Sequence, residues 1–159
     1  MSYEGVEAAL QTLLQGVSGF NGASQVILGD FKVLSQGINP AMVLQYGGFE
    51  QEDVAFDGDK FITWTVVVNL AIRYLRDDQI HNDARDIRQL VIDRINTYPR
   101  LNAAANVRRA DIVRGGPMGN VEGSGSGSFY NRYAIGNNAY YIERFEVRIV
   151  EETDFTYAE

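Results

Sequence analysis

The sequence predicts an α+β domain: a mainly antiparallel sheet of about five strands, two helices packed on one of its faces, and a long glycine-rich loop. Three observations carry this expectation. Apolar residues alternate with period two from Ile62 to Tyr74, two segments (3–17 and 82–98) repeat apolar residues at steps of three and four, and short turn signals join most neighbouring strand candidates. At 159 residues, the chain reads as a single domain spanning 1–159. A chain of this size buries about 68 to 70% of its unfolded surface, enough for one hydrophobic core.

Along the chain, Val6, Ala9, Leu10, Leu13, Leu14 and Val17 line one face of a first helix, with Glu4, Glu7, Gln11 and Gln15 elsewhere. Gly16, Gly19 and Gly22 end that periodicity. Irregular chain to Asn39-Pro40 follows, holding a short apolar piece from Val26 to Leu34 broken at Gly29-Asp30. Ala41 to Tyr46 reads as a short strand stopping at Gly47-Gly48. Residues 50–59 hold five acids and no base and read as an exposed loop, with Asp57-Gly58 as a hairpin signal. The even positions Ile62, Trp64, Val66, Val68, Leu70, Ile72 and Tyr74 then mark the clearest strand, longer than usual.

A second helix is expected from near Asn82 to just before Tyr98-Pro99, with Ile80, Ala84, Ile87, Val91, Ile95 and Tyr98 on its apolar face. Val107 to Val113 is a short strand. Residues 115–128 contain six Gly and four Ser or Pro, a composition that does not hold a packed conformation by itself. A hairpin closes the domain: Tyr130 to Ile135, a turn at 136–138, and a strand from Ala139 to about Val150 whose odd positions Tyr141, Phe145, Val147 and Ile149 face the core. The last nine residues, 151–159, form an acidic tail with four acids and no base.

Composition removes several kinds of chemistry. With no Cys and one His, neither a disulfide framework nor a zinc site of the usual nitrogen and sulfur ligands can be assembled. His81 sits beside acids at a helix start with no nucleophile elbow in the chain. The glycine tract lacks the following Lys-Ser/Thr and helix of a phosphate cradle. Asp53, Asp57 and Asp59 do not follow the alternation of a calcium loop. The aromatics Tyr140, Tyr141 and Phe145 alternate as strand residues do, without forming a base-stacking platform. No acid, base and nucleophile group by spacing, so no catalysis, cofactor or metal is expected. No run approaches the roughly 20 apolar residues of a membrane span, so no membrane partner is expected. Residues 1–7 carry two acids and no base, unlike a secretory leader, and a product assembled in the cytoplasm is expected. The formal charge of −7 opposes general attraction to a duplex.

The basic residues are the informative ones. Twelve are Arg and two Lys, and seven Arg against three Asp lie between Arg85 and Arg114. On the second helix, Arg85, Arg88 and Ile92 share a flank leading away from the apolar face, while Asp86 and Asp93 fall on the other flank. Arg with an apolar neighbour is the composition of a protein contact. The acids Glu50, Glu52, Asp53, Asp57 and Asp59, with those of the tail, are available to receive it. Unlike patches on one subunit make a head-to-tail contact that closes into a ring where the rotation permits. A solvated helix face is the plainer reading of the same residues.

The order of these elements resembles a known family. The N-terminal amphipathic helix, the stretch Gly29-Asp30-Phe31-Lys32-Val33-Leu34 leading to Pro40-Ala41-Met42-Val43-Leu44, the long strand from Ile62, the helix Ala84 to Tyr98 and the closing hairpin resemble the tail terminator proteins of long-tailed bacteriophages. The resemblance spans almost the whole chain and rests on element order and size.

The resemblance implies a non-enzymatic virion protein of the tail–neck region. Such a protein is a homohexameric ring that caps the tail tube protein, stops its polymerisation, docks to the head–tail connector and lets double-stranded DNA pass. A compact chain of this length is about 39 Å across; six such spheres in a ring leave an opening of about 39 Å and four about 16 Å, against roughly 20 Å for a duplex. The acids at 50–59 then line either the lumen or the subunit contact. Gly119, Val121, Glu122 and Gly123 of the glycine-rich stretch form a loop that orders on the tube or the connector. Another neck or tail component, such as a head-completion or tube protein, shares this logic; a small nucleic-acid-binding adaptor is the alternative from a different class.

Overall fold

The computed structural model describes residues 3–20, 25–29, 38–53, 59–73, 79–104, 106–117, 132–135 and 138–154. The element order is α1 (Tyr3–Gln15), β1 (Val26–Leu28), β2 (Ala41–Asp53), β3 (Asp59–Arg73), α2 (Ile80–Thr97), β4 (Val107–Pro117), β5 (Arg132–Ile135) and β6 (Asn138–Asp154). The domain is α+β, as expected. Five strands run in the order β1-β2-β3-β6-β4, and β5 pairs with the start of β6. β1 lies parallel to β2, and every other pairing is antiparallel.

β3 and β6 form the centre of the sheet, in unbroken register from Asp59↔Asp154 to Arg73↔Tyr140. Period-two alternation sends Val66, Val68, Leu70 and Ile72 of β3, and Tyr141, Phe145, Val147 and Ile149 of β6, to one face. Both helices cover that face. α1 contributes Val6, Leu10, Leu13 and Leu14, followed by Val17 and Phe20; α2 contributes Ile80, Ala84, Val91 and Ile95. On the opposite face, Ala41, Val43, Asn69, Ala71, Tyr140 and Ile142 are buried near the start of β2. Asn69 binds three strands together there: its Nδ2 donates to the Val43 carbonyl (3.2 Å) and to Gln45 Oε1 (3.0 Å), and its Oδ1 accepts from Arg144 Nε (3.3 Å).

Four expected boundaries move. β2 does not stop at Gly47-Gly48 but continues to Asp53 through a β-bulge between Tyr46 and Gly48. Gly48 has φ +117°, and a Cβ on Gly47 would lie 2.9 Å from Thr65 Cγ2, so the two glycines let the strand continue. The expected acidic loop at 50–59 is strand at both ends: Glu50, Glu52 and Asp53 belong to β2 and Asp59 to β3, while 54–58, with Asp57, lie outside the described residues. The expected tail from 151 is also strand as far as Asp154, held by pairing with β3, and Glu151 is fully buried. β4 extends to Pro117 and takes in the first three residues of the glycine-rich stretch; Gly119, Val121, Glu122 and Gly123 lie outside the described residues. β1, which falls inside the apolar piece 26–34, is tied to α1 by Gln11 Nε2 donating to the Val26 carbonyl at 2.8 Å.

Arg94 in the last turn of α2 joins the two helices. Its Nε donates at 3.1 Å to the Leu13 carbonyl, which also accepts from the Gly16 N–H, at the C-terminal end of α1 where the helix dipole favours a cation. Its guanidinium also lies over the Tyr98 ring at 4.5 Å. Gly16 makes this possible, because a Cβ there would sit 2.2 Å from Arg94 Nη2. After α2 the chain reverses through Leu101, Asn102 and Ala103, all left-handed (φ 49°, 59° and 62°), with Leu101 buried in the core. The Ala110 N–H donates to the Pro99 carbonyl and fixes this turn against β4.

Arg94→Ala should lower stability by about 1.5 kcal/mol, the value of a hydrogen bond to a charged group at a partly exposed site, read as a lower urea midpoint with unchanged slope. Ala103→Gly, at an exposed left-handed position, should raise stability by up to about 1 kcal/mol through relief of backbone strain, read as a higher urea midpoint.

Candidate functional site

The Arg85, Arg88, Ile92 flank of α2 is divided by the structure. Arg88 turns toward the sheet, where its Nε donates to Glu143 Oε1 at 2.5 Å. Glu143 is 2% exposed and sits at an odd, core-facing position of β6; its Oε2 has no hydrogen-bond partner among the described residues. The hydrogen bond to Glu143 pushes the Arg88 guanidinium further up, against the opposing effect of burial. Burial, and next the Glu143 charge, push the Tyr141 hydroxyl up, and Arg88 partly offsets them. The His81 ring stands edge-on to Tyr141 at 5.9 Å. Arg88 is therefore the counter-ion of a buried carboxylate.

The remaining members stay near the surface. Arg85 and Asp86 form an exposed neighbouring pair at 3.2 Å, of small energetic weight. Asp93 accepts from Gln89 Nε2 at 2.8 Å, and Ile92 is half-buried against the core. The sequence held a signal for Glu143, since an acid in the core phase of a strand needs a cation opposite it. Tyr141, Phe145, Val147 and Ile149 define that phase.

A second surface is the face of the sheet not covered by the helices. Beyond Asn69 it carries charged side chains among half-buried Phe61, Val67 and Val150, with the exposed acids toward β2 and the arginines toward β4. Along its β2 side, Glu50 and Glu52 project from the positions paired with Thr63 and Phe61. Both are exposed, with no cation in ion-pair distance among the described residues. Along its β4 side lie Arg109, Asp111 and Arg114, opposite Val150, Arg148 and Glu146 of β6. Arg109 pairs with Asp111, and Arg114 donates to Glu146 Oε2 from both Nε (3.0 Å) and Nη2 (2.7 Å). Arg114, Gly115, Gly116, Pro117, Arg144, Glu146 and Val67 line a shallow cleft of about 360 Å³ on this face.

No family model matches the chain and no curated protein matches it. The arrangement is accordingly read from its own chemistry. Among the described residues, no group of three or more His, Cys, Asp or Glu side chains is placed to hold a metal ion, and no helix is long and apolar enough to cross a membrane. What the residues bring together are surfaces: an acidic flank at β2, an arginine flank at β4, and exposed apolar side chains beside both. Phe49 packs on Trp64 (5.6 Å), and Trp64 on Tyr3 (5.6 Å), which meets Tyr46 edge-on at 4.8 Å. Phe49 and Tyr46 remain more than half exposed. The sequence counts Arg108, Arg109 and Arg114 within the arginine-rich stretch but does not show that they lie in one strand, β4. Its exposed phase, adjoining Gly115-Gly116-Pro117, was the available signal of a sheet edge.

Arg88→Met should destabilise the fold by about 3 kcal/mol, the low end for a broken buried pair because Arg88 keeps a third of its surface in water. The double variant Arg88→Met, Glu143→Met should be more stable than Arg88→Met alone, since no charge is then left stranded; urea unfolding of the two variants checks this order.

Proposed function

We propose that this chain is a ring-forming structural protein of the tail terminator kind, which caps a phage tail tube, halts its growth and joins it to the head connector while DNA passes through the opening. One observation carries the reading. A single sheet, with both helices on one face, presents an acidic flank on one side and an arginine flank on the other, the asymmetry that a head-to-tail ring requires. The element order supports it, since the amphipathic helix, the long strand, the second helix and the closing hairpin follow one another as the resemblance implies. Partners on this reading are further copies of the chain, the tube protein and the connector, and the duplex is an unbound passenger.

An adaptor that binds nucleic acid is the second reading, favoured by Arg109, Arg114, Arg144 and Arg148 on the polar face. It requires duplex binding whose affinity falls steeply with salt. The ring reading requires a finite particle. Native mass and negative-stain images of the purified protein should show a closed ring with a central opening, and added protein should arrest elongation of tail tubes. A monomer at high concentration that stays monomeric beside tubes overturns the ring, and open-ended polymerisation indicates a tube subunit instead.

A further inference from the structure

We infer that the contact between neighbouring copies is made by the two flanks of the sheet, the β4 flank of one copy seated against the β2 flank of the next, with Arg109 of the first facing Glu50 of the second. This rests on the ring reading and gives it a specific interface.

Register carries the inference. Following one cross-strand row through the sheet, Glu50 of β2 pairs with Thr63 of β3, Thr63 with Val150 of β6, and Val150 with Arg109 of β4. An acid with no ion pair among the described residues and an exposed arginine thus stand at opposite ends of the same row and on the same face. A second copy displaced sideways along that row, with no shift along the strands, brings them together. Arg109 keeps 69% of its side-chain surface exposed despite its bond to Asp111, so guanidinium donors remain for a second carboxylate.

Both flanks are open among the described residues. β1 covers β2 only at Met42 to Leu44, leaving Gln45 to Asp53 without an outer neighbour, and no strand lies outside β4. Each flank also carries an exposed apolar side chain for the centre of a contact: Phe49, 58% exposed, on β2 and Val113, 47% exposed, at the bulge of β4. The bulges at Tyr46/Gly48 and Ile112/Arg114, together with Pro117, prevent a continuous backbone ladder between copies, so side chains make the contact. The α2 flank does not compete for this role, because Glu143 holds the Arg88 charge within the chain.

Charge exchange tests the pairing. In Arg109→Glu the two facing positions are both acidic, and in Glu50→Lys both are basic, so each variant alone should fall from the wild-type particle mass in sedimentation velocity, with association weakened about tenfold or more per contact. An equimolar mixture should recover the wild-type mass, because the two variants can alternate around a ring with an even number of places. The milder Arg109→Gln and Glu50→Gln should each weaken association while leaving circular dichroism unchanged, and their thermal midpoints should match wild type at dilutions where all three are dissociated, which separates an interface effect from a folding defect. Variants that keep the wild-type mass overturn the flank assignment and leave the ring standing. Variants that dissociate with no recovery on mixing overturn the Arg109–Glu50 pairing. A wild-type monomer overturns the ring and this interface with it.

Discussion

The structure depends on the antiparallel register between β3 and β6. Residues 59–73 and 140–154 are far apart in sequence, yet they form the two central strands, and each of the other strands is attached directly or indirectly to one of them. The period of two leaves no freedom in the alignment: a slip of one residue would bring Arg144, Glu146 and Arg148 under the helices and turn Phe145, Val147 and Ile149 to the polar face. The helices are positioned by this choice, since both cover the face that the register makes apolar. Their mutual placement is then fixed by Arg94, which spans from α2 to the last carbonyls of α1 through the space left by Gly16.

The parts of the fold legible in the sequence were those with an uninterrupted period. The alternation through Val66, Val68, Leu70 and Ile72 marked β3, and the three-and-four spacing of Val6, Leu10, Leu13 and Leu14 marked α1, because one face of each is buried throughout. Boundaries escaped where local chemistry and tertiary pairing disagree. Gly47-Gly48 has the composition of a stop, yet β3 continues opposite it, and the backbone bonds available there carry β2 on to Asp53. The acids Glu50, Glu52 and Asp53 read as loop for the same reason: their polarity fits solvent, and a strand with one exposed face and an open edge offers them solvent. Glu151 to Asp154 look like a tail until Asp59 to Ile62 are seen to pair with them.

The sequence showed the excess of arginine but not where Arg88 goes. An excess of arginine between 85 and 114 pointed to a surface with a purpose, but helical projection cannot show that one of those residues reaches a carboxylate on β6, which is 55 residues away. Arg88 and Glu143 form a polar contact within a mainly apolar layer that also buries Glu151, a costly arrangement that ties α2 to the centre of the sheet in one register. Asn69 plays the corresponding part on the other face, where its single amide reaches β2 and β6 together. These two buried polar centres, one on each side of the sheet, divide the surface: the α2 arginine nearest the sheet is engaged, and the strands at the margins carry the charges that face outward.

The bulge at Tyr46/Gly48 acts as a phase switch. Ahead of it Tyr46 stands opposite Val66 on the helix side; after it Phe49 stands opposite Trp64 on that same side, three residues later instead of two. The inserted residue therefore resets the parity of the rest of β2. Were both glycines kept but the bulge flattened, the alternation would run straight through, Glu50 and Glu52 would swing beneath Tyr3 and Trp64, and Phe49 would emerge among the charges. The bulge, and not the identity of the acids, thus decides the electrical sign of an entire margin of the molecule.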